Sequence, residues 1–446
     1  MDGRHAKKQP GIEALAEVVA LTDDGRGLGR WLDGKHAGKV VMLDDALPGE
    51  RVLARLRRRK RRTDEATVLQ LETRAADRVA PRCRHFGVCG GCALQHLAPA
   101  AQVAYKQRWV LDALQRIGGV QPQQMAPPLT GPVWSYRRRA RLGVKLVLRK
   151  GGVIVGFRQR HSPLLAQLSR CEVLDARVGM RLAALAEMLG RLSIADSVPQ
   201  IEVACAEHVA LVVRVLRMPD AADRQLLAEF AADTGFELYL QPGGPDSVSP
   251  LHPPARALRY SPDAGELRLE FRPTDFVQIN PEISQAMVRQ VLDWLAPAPG
   301  AAVLELFCGL GHFSLPLAAA GCRVTAIEGD VRLVDRARAN AASNRLPLEA
   351  VWADLLQPSA QAPWLARDYS ALLLDPPRTG AQDVLRLLLP RAPARVLYVS
   401  CHPGTLARDA GLLVREGGYR LRRVGVLDMF PHTAHVETMA LFERED

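Results

Sequence analysis

Apolar and polar residues alternate in short runs over the first part of the chain. These runs cover residues 14–21, 38–43, 50–55 and 65–71. Turn-forming sequences such as Asp24-Gly-Arg-Gly27 and Asp33-Gly34 separate them. Short alternating runs divided by turns are typical of a small all-β barrel, so we predict a barrel of the oligonucleotide-binding kind over residues 8–75.

The pattern changes in the middle of the chain, where strand-like and helical segments are mixed. Residues 153–157 and 208–214 are apolar enough for buried strands, while residues 99–117 and 176–192 have the spacing of helices. In the first of these helices the apolar positions are Val103, Val110, Leu111 and Leu114. We therefore predict an α+β domain over residues 76–272.

From Pro273 onward, strand-like runs alternate with helix-length segments. The runs begin near Ala302, Arg323, Leu348, Ser370, Arg395 and Tyr419. This alternation is typical of a doubly wound parallel sheet with helices on both faces. We predict a Rossmann-like α/β domain over residues 273–446.

Composition agrees with a multidomain globular protein. The chain has 446 residues, of which 48% are hydrophobic, and this length exceeds what one compact core usually holds. No charged leader is followed by an apolar core, and no apolar stretch reaches the roughly 18 residues of a membrane helix. We expect a soluble, cytoplasmic protein without a membrane partner.

Positive charge is concentrated in two stretches. The net charge is +11, and residues 51–62 contain eight basic residues and no acid. Residues 113–171 contain 11 Lys or Arg and again no acid, including the run formed by Arg137, Arg138, Arg139 and Arg141. One such stretch is usually a solvated face. Two of them favour a polyanionic partner, so we predict that these arginines contact the phosphates of a nucleic acid.

A glycine loop follows the first strand of the α/β region. Gly309-Leu-Gly311 permits a tight turn with the backbone close to a ligand, but Ser314 stands where a dinucleotide fingerprint has its third glycine. Glu328 ends the next strand, where a carboxylate can accept hydrogen bonds from ribose hydroxyls, and Asp354 follows the third strand, within reach of an adenine amino group. This combination indicates S-adenosylmethionine, with NAD as the alternative.

A thiol and a carboxylate end two further strands. Asp375 ends the apolar run that begins at Leu372, and Cys401 lies just past the run that begins at Val396; ligands of open parallel sheets gather at such strand ends. The helix expected after Pro403 can favour a thiolate. A thiolate can add to C6 of uracil so that C5 attacks a methyl donor, after which a base must remove the C5 proton. Glu437 is a candidate for that base; its alternative role is a surface acid on a strand.

A second set of cysteines lies far from Cys401. Cys83, Cys89 and Cys92 lie on a short glycine-containing segment, and Cys171 is a fourth. Disulfides are rare in the cytoplasm, so a metal is the better interpretation. Four thiolates can hold tetrahedral zinc or a four-iron cluster, and spacing alone does not separate these two.

Assembled in order, these motifs resemble the bacterial ribosomal RNA (uracil-C5)-methyltransferase family. The similarity is greatest to its large-subunit members, which carry an N-terminal TRAM barrel and a four-iron cluster. The matching motifs are the four cysteines, Tyr136-Arg-Arg-Arg-Ala-Arg141, Asp275-Phe-Val-Gln-Ile-Asn280, Leu306-Phe-Cys-Gly309, Asp375-Pro-Pro-Arg378, Ser400-Cys401 and Asp428-Met-Phe-Pro-His-Thr433. The resemblance covers nearly the full chain. It implies methylation of a uridine in 23S ribosomal RNA by a class I, S-adenosylmethionine-dependent methyltransferase domain, and a 4Fe-4S cluster on Cys83, Cys89, Cys92 and Cys171.

The resemblance also implies roles for single residues. Cys401 would be the nucleophile and Glu437 the base, and Phe276 would meet the flipped uridine. The cofactor and target-base positions would be Gln278, the Phe307 backbone, Gly309, His312, Glu328, Asp354 and Asp375. His312 and His402 depart from the family, because each stands where Asn is usual.

Other functions remain as alternatives. The chain could modify transfer RNA, or it could be a cytosine-C5 methyltransferase, although Thr379 follows Asp375-Pro-Pro-Arg378 where a second cysteine is usual. An amino-group methyltransferase would give Cys401 no role, and a non-catalytic iron-sulfur RNA-binding protein would not need the pocket acids. We expect a monomer.

Overall fold

The computed structural model describes residues 12–252, 254–391 and 393–444, and the chain forms two compact units. The first unit comprises the chain as far as Tyr105 together with His432–Ala434. The second unit comprises Lys106–Pro431 and the chain from His435 onward. None of the described helices combines the length and the apolar character needed to cross a membrane.

Strands and helices alternate irregularly at first and regularly later. The strands are β1 (Glu13–Leu21), β2 (Gly27–Trp31), β3 (Val40–Asp44), β4 (Arg51–Arg58), β5 (Thr63–Leu71), β6 (Gln124–Met125), β7 (Arg139–Val147), β8 (Gly152–Gly156), β9 (Gln200–Cys205), β10 (Val209–Arg214), β11 (Glu237–Gln241), β12 (Ser249–Pro250), β13 (Leu258–Tyr260), β14 (Leu269–Phe271), β15 (Ala302–Leu306), β16 (Arg323–Glu328), β17 (Glu349–Trp352), β18 (Ala371–Leu374), β19 (Arg395–Ser400), β20 (Tyr419–Leu427) and β21 (Glu437–Arg444). The helices are α1 (Pro99–Ala113), α2 (Ala176–Gly179), α3 (Leu182–Gly190), α4 (Ala221–Thr234), α5 (Pro281–Leu295), α6 (Ser314–Ala319), α7 (Val331–Ser343), α8 (Gln382–Leu388) and α9 (Pro403–Arg415).

The first unit contains a closed barrel with the strand order β1-β2-β3-β5-β4. Ala14, Ala16 and Val18 alternate inward along β1, as the period of two requires. The predicted all-β barrel is confirmed, but β2 was missing from the prediction because its sequence contains two glycines. Gly29 is needed there, since a Cβ at this position would lie 2.3 Å from the carbonyl oxygen of Glu17 on β1.

The middle of the chain forms a mixed sheet with the order β12-β11-β10-β9-β7-β8 and a separate hairpin of β13 and β14. The helix predicted over residues 176–192 is wrong as a single element, because α2 ends at Gly179 and α3 begins at Leu182. A Cβ at Gly179 would lie 2.4 Å from the Cys171 carbonyl oxygen, so the chain packs closely here and turns.

The last sheet has the order β17-β16-β15-β18-β19-β21-β20-β6. Strands β15 to β19 are parallel, which confirms the α/β prediction, whereas β21 is antiparallel to β19 and β20. Val110 and Leu114 pack into the core of this sheet, but Leu111 is 36% exposed, so its predicted place on the apolar face is wrong. Because β6 also joins this sheet, residues before 273 contribute to it; the domain boundaries at 75 and 272 stay predictions.

Candidate active site

Sheet register brings the predicted chemical groups to one edge. In the parallel ladders Leu306 pairs with Leu374, and Leu374 pairs with Tyr398. The residues that follow these strands, Phe307 and Asp375, therefore leave the sheet side by side. In the antiparallel ladder Ser400 pairs with Thr438, so Cys401 and Glu437 are the next residues of facing strands.

The glycine loop has an unusual backbone. Phe307, Gly309 and Gly311 have φ angles of 63°, 57° and 95°, so all three are left-handed. A non-glycine residue in this conformation is uncommon and is often found at functional sites. A Cβ added at Gly309 would meet no atom of the described chain within 4 Å, so the loop faces open space there. The loop thus presents its backbone to whatever binds at this edge.

Two acids at this edge are held by backbone N–H groups. Glu328 accepts hydrogen bonds from the N–H groups of Gly309 (2.9 Å), Gly329 (2.8 Å) and Asp330 (3.0 Å). Asp354 Oδ1 accepts from two consecutive N–H groups that follow it, at 2.9 and 3.0 Å. Both carboxylates are therefore fixed in place while each oxygen keeps lone pairs for a ligand.

Cys401 lies between β19 and α9. His402 caps α9, since its Nδ1 accepts from the Thr405 N–H at 3.2 Å, and the His402 N–H donates to Ser400 Oγ at 3.1 Å. Burial, reinforced by the carboxyls of Glu437 and Asp375, raises the pKa of the Cys401 thiol to about 11, and Arg378 opposes this rise. The expected lowering by the helix is thus outweighed, because two acids surround the sulfur.

Glu437 and Asp375 are acids with raised pKa values. Glu437 is only 4% exposed, so the alternative of a surface acid is wrong. Burial and the neighbouring Asp375 raise the pKa of the Glu437 carboxyl well above its usual range. Burial and the charge of Glu328 raise the pKa of the half-buried Asp375 to about 7. The two carboxyl groups and the thiol act on one another's pKa values, and within this cluster Asp375 can exchange a proton near neutral pH.

Arg378 and His435 were not predicted as site residues, although Arg378 lies in the Asp375-Pro-Pro-Arg378 motif. Arg378 contacts His435 Nδ1 at 2.9 Å. Burial and three nearby cations lower the pKa of His435 to about 4, so its imidazole is neutral. Only the sheet register could reveal that the Arg378 guanidinium acts on the Cys401 thiol and on the Glu437 carboxyl, which lie on two other strands.

His312 directly follows the glycine loop and is half-buried. Its Nδ1 lies 3.1 Å from Tyr260 Oη and its Nε2 lies 3.2 Å from Ser284 Oγ. Burial and the charge of Arg138 lower the pKa of His312 to about 3, so the ring is neutral. Because both ring nitrogens contact protein side chains, a cofactor contact at this position would come from the loop backbone. The cofactor contact itself stays a prediction. Gln278 is buried nearby.

The predicted RNA-contacting residues have different environments. Arg138 is buried, Arg137 and Arg139 are half-buried, and Arg141 is exposed. Arg141 and Phe276 line a cavity of about 490 Å³, and Phe276 is 69% exposed. Arg141 and Phe276 are thus the most exposed of these five positions, and the RNA contacts of all five stay predictions.

The second cysteine set is divided between the two units. Cys83, Cys89 and Cys92 belong to the first unit and are half-buried, while Cys171 is buried in the second. The Gly91 N–H donates to Cys89 Sγ at 3.4 Å. Across residues 12–252, 254–391 and 393–444, no group of three or more His, Cys, Asp or Glu side chains is arranged to hold a metal.

The fold and the site define a Rossmann-like enzyme with a thiol beside a nucleotide-type cofactor edge. The family model described as tRNA (Uracil-5-)-methyltransferase matches residues 263–350 and 366–445. The 23S rRNA (uracil(1939)-C(5))-methyltransferase RlmD of Alkalilimnicola ehrlichii is 49% identical over 446 residues, covering 99% of both chains. The protein of the same name from Nitrosococcus oceani is 47% identical over 448 residues, covering 99% of this chain and 98% of the relative.

A solved structure has the same fold. The crystal structure of Pyrococcus abyssi tRNA (uracil-54, C5)-methyltransferase in complex with S-adenosyl-L-homocysteine matches with a TM-score of 0.71 at 21% identity, covering 96% of this chain and 100% of that one. The nearly full-length relatives settle the family. The chain belongs to the 23S rRNA (uracil-C5)-methyltransferase family, which confirms the resemblance seen in its motifs.

Proposed function

We propose that this protein transfers the methyl group of S-adenosylmethionine to C5 of a uridine in 23S ribosomal RNA, giving 5-methyluridine. The observation that carries the proposal is the placement of Cys401 opposite Glu437, one residue beyond the Ser400–Thr438 pair, at the edge that also holds the glycine loop. An amino-group enzyme would not require this pair. A cytosine-C5 enzyme would use a similar pair, but Thr379 follows Asp375-Pro-Pro-Arg378 where its second cysteine is usual. Because ribosomal RNA is the substrate, we assign the activity to the cytoplasm. The reaction has no step that requires a second protein chain.

The residues at the glycine loop fit the cofactor. The open space at Gly309 and the left-handed backbone at Phe307 leave room for a ligand against the main chain. Glu328 is assigned to the ribose hydroxyls and Asp354 to the adenine amino group, with Asp375 and Gln278 at the methionine end. Bound there, S-adenosylmethionine supplies an electrophilic methyl group on a sulfonium.

Cys401 and Glu437 carry the bond changes in the uracil ring. Cys401 Sγ, as the thiolate, adds to C6, which makes C5 nucleophilic toward the methyl group. C5 takes the methyl group, and S-adenosylhomocysteine is the leaving group. Glu437 then removes the C5 proton, and the Cys401–C6 bond breaks to release 5-methyluridine and the thiolate. Because burial raises the pKa of Glu437, its carboxylate is a stronger base than that of an exposed glutamate.

The target base must leave its stack before Cys401 can reach C6. Phe276 is exposed, and it lines the same cavity as Arg141. We therefore assign Phe276 to contact with the extruded uridine and Arg141 to contact with an RNA phosphate. Aromatic side chains commonly stack on splayed bases of RNA. The basic stretch of residues 51–62 in the barrel strands is assigned to sequence-independent phosphate contacts.

A 4Fe-4S cluster on Cys83, Cys89, Cys92 and Cys171 is proposed as a structural element. Support comes from the four thiols and from the Gly91 N–H donated to Cys89 Sγ, a contact common at metal-bound thiolates. Iron and sulfide analysis of anaerobically purified protein would test it. About four irons per chain, lost in a Cys89→Ser variant, are expected; a single zinc ion per chain would replace the cluster assignment.

The substrate is tested by mass mapping of 23S RNA from a strain that lacks this gene. One 5-methyluridine should be absent and should return after incubation with the purified protein and S-adenosylmethionine. If 23S RNA is unchanged and a C5-methyl group is instead missing from a uridine of transfer RNA or from a cytosine, the assigned substrate is wrong.

A further inference from the structure

The second unit contains another cavity, apart from the Cys401 cluster. Its volume is about 580 Å³, and neither Cys401 nor Asp375 nor Glu437 lines it. The walls come from the residues before β7, from the end of β13 and from the start of α5. A cavity of this size is large enough for a nucleotide-sized ligand.

Arg138 provides a buried charge in the wall of this cavity. The residue is 5% exposed, and its Nη2 has no hydrogen-bond partner in the part of the chain that the structure describes. Its Nε donates to the Gln278 carbonyl oxygen at 2.5 Å, and its guanidinium lies 4.5 Å from the centre of the Tyr260 ring. The charged groups that act on its pKa are Tyr260, Arg139 and Cys205, and none is a carboxylate.

A buried cation without a counter-ion is costly, so a bound anion is the expected complement. Burial lowers the pKa of Arg138 only to about 10, and the guanidinium therefore stays charged near neutral pH.

Asn280 provides a second buried donor. The residue is 1% exposed and caps α5, since its Oδ1 accepts from the Ile283 N–H at 3.5 Å. This bond fixes the orientation of the amide, so that the other terminal atom is Nδ2. Asn280 Nδ2 has no partner within the described residues, although the residue lines the cavity. Two buried donors therefore share one cavity, at the positive end of a 15-residue helix.

The rest of the lining is close to neutral. Three further arginines, Arg177, Arg259 and Arg268, are matched by three acids, Asp175, Glu207 and Glu282. With Arg138 the lining has four cations and three anions, a formal excess of one positive charge. Arg177 is paired with Asp175 at 2.7 Å and Arg259 with Glu270 at 3.4 Å, whereas Arg138 Nη2 has no partner among the described residues.

We propose that this cavity binds a phosphodiester group of the RNA substrate through Arg138 Nη2 and Asn280 Nδ2. The inference rests on the proposed function, because RNA is the polyanion that the reaction supplies. A phosphate has only acceptor oxygens and a negative charge, which match two donors and one excess cation. Arg138 also holds the Gln278 carbonyl, so a phosphate here would fix the RNA relative to the Phe276–Asn280 segment.

The test measures the affinity of the full-length protein for 23S RNA transcripts. Asn280→Asp keeps an oxygen for the helix cap but removes the donor and adds a negative charge, so RNA affinity should fall by about tenfold or more. Asn280→Ser keeps the cap and removes only the donor, and a fall of about two- to tenfold is expected. S-adenosylmethionine affinity and the unfolding temperature should stay close to wild type in Asn280→Ser. Asp220→Ser is the matched control, because Asp220 caps α4 by accepting from the Asp223 N–H at 2.9 Å.

Salt dependence identifies the ligand group. In Arg138→Gln the slope of log affinity against log salt should decrease by about one, as expected for one lost phosphate contact. Weaker binding with an unchanged slope would mean that a base edge occupies the cavity and would overturn the phosphodiester assignment. A folded Asn280→Asp variant that binds RNA as wild type does would overturn the proposal as a whole.

The source of the phosphate and the proposed function are tested separately. Inorganic phosphate is titrated against wild type and Asn280→Asp; if only phosphate binding, and not RNA binding, depends on Asn280, the cavity holds a free anion and the RNA assignment is wrong. Wild-type protein that methylates 23S RNA while the variants bind it normally would leave the function intact and remove this inference. Wild-type protein without activity on 23S RNA would instead refute the function.

Discussion

Four carboxyl groups lie at the ends of β16, β17 and β18 and at the start of β21, and their surroundings divide them into two pairs. Glu328 and Asp354 accept hydrogen bonds from backbone N–H groups, which fix them as acceptors. No hydrogen bond acts on the pKa of Asp375 or of Glu437, and burial raises both. The first pair is suited to hold a ligand in a fixed orientation, and the second pair is suited to exchange protons. Binding and chemistry are thus separated along one sheet edge.

The largest effect is expected at the chemical end of this edge. Cys401→Ala should reduce methyl transfer by about a thousandfold or more, because no other group can add to C6. Affinity for S-adenosylmethionine, measured by calorimetry, should stay near wild type. Cys322→Ala, which removes a buried thiol at the start of β16, is the control and should retain activity. Full activity of Cys401→Ala would refute covalent catalysis.

The opposite result is expected at the binding end. Glu328→Gln keeps the shape of the side chain but weakens three backbone hydrogen bonds and the assigned ribose contact, so S-adenosylmethionine affinity should fall by about 10- to 100-fold. Single-turnover methyl transfer at saturating cofactor should change much less. Glu349→Gln, which breaks the surface pair with Arg367, serves as the matched control. A normal affinity in Glu328→Gln would place the cofactor elsewhere.

The rate should depend strongly on pH. The pKa of Cys401 is raised to about 11, so the fraction of thiolate increases throughout the neutral and mildly alkaline range. Single-turnover rates with the RNA and cofactor bound should rise by up to about tenfold per unit between about pH 7 and about pH 9. A rate that is already constant from about pH 7 would mean that the bound substrate lowers the thiol pKa or that deprotonation does not limit the reaction.

A smaller effect is expected on the free energy of unfolding, through the protonation of Glu305. Glu305 is fully buried, its Oε2 accepts from Ser314 Oγ at 2.5 Å, and burial raises its pKa from 4.5 to about 8. The folded state therefore keeps a proton that the unfolded state has lost, and stability falls as pH rises between these two values. Glu305→Gln should remove this loss.

Urea unfolding at about pH 5 and about pH 8 measures this effect. The unfolding free energy of Glu305→Gln relative to wild type should be higher at the upper pH by an amount on the order of 1 to 3 kcal/mol. Glu416→Gln on the exposed end of α9 should show no such difference. An equal effect of Glu305→Gln at both pH values would mean that the carboxyl is ionised in the folded state.

Periodicity predicted the α/β sheet well because each buried strand is a continuous apolar run with a helix-length segment after it. The predicted strand starts at Ala302, Arg323 and Arg395 coincide with β15, β16 and β19. The antiparallel strand β21 was not predicted, since its position depends on long-range pairing with β19 and β20. That pairing is what places Glu437 beside Cys401.

The acids and the thiol could be predicted as site residues because they lie at the ends of predicted strands, but their protonation states could not be predicted. The raised pKa values of Asp375, Cys401 and Glu437 come from burial by distant segments and from one another. The cavity around Arg138 and Asn280 was also outside what sequence could indicate. The run of arginines from Arg137 to Arg141 predicted surface contacts, whereas Arg138, which directly precedes β7, is buried.

The most direct test of the account is a denaturing intact-mass measurement on Glu437→Gln incubated with 23S RNA fragments and S-adenosylmethionine. Without the base, the C5 proton stays on the methylated ring and the Cys401–C6 bond cannot break. The account predicts a covalent protein–RNA species carrying one added methyl group, which disappears when Cys401→Ala is added to the same chain. Release of free 5-methyluridine RNA at the wild-type rate, with no covalent species, would contradict the assigned roles of both residues.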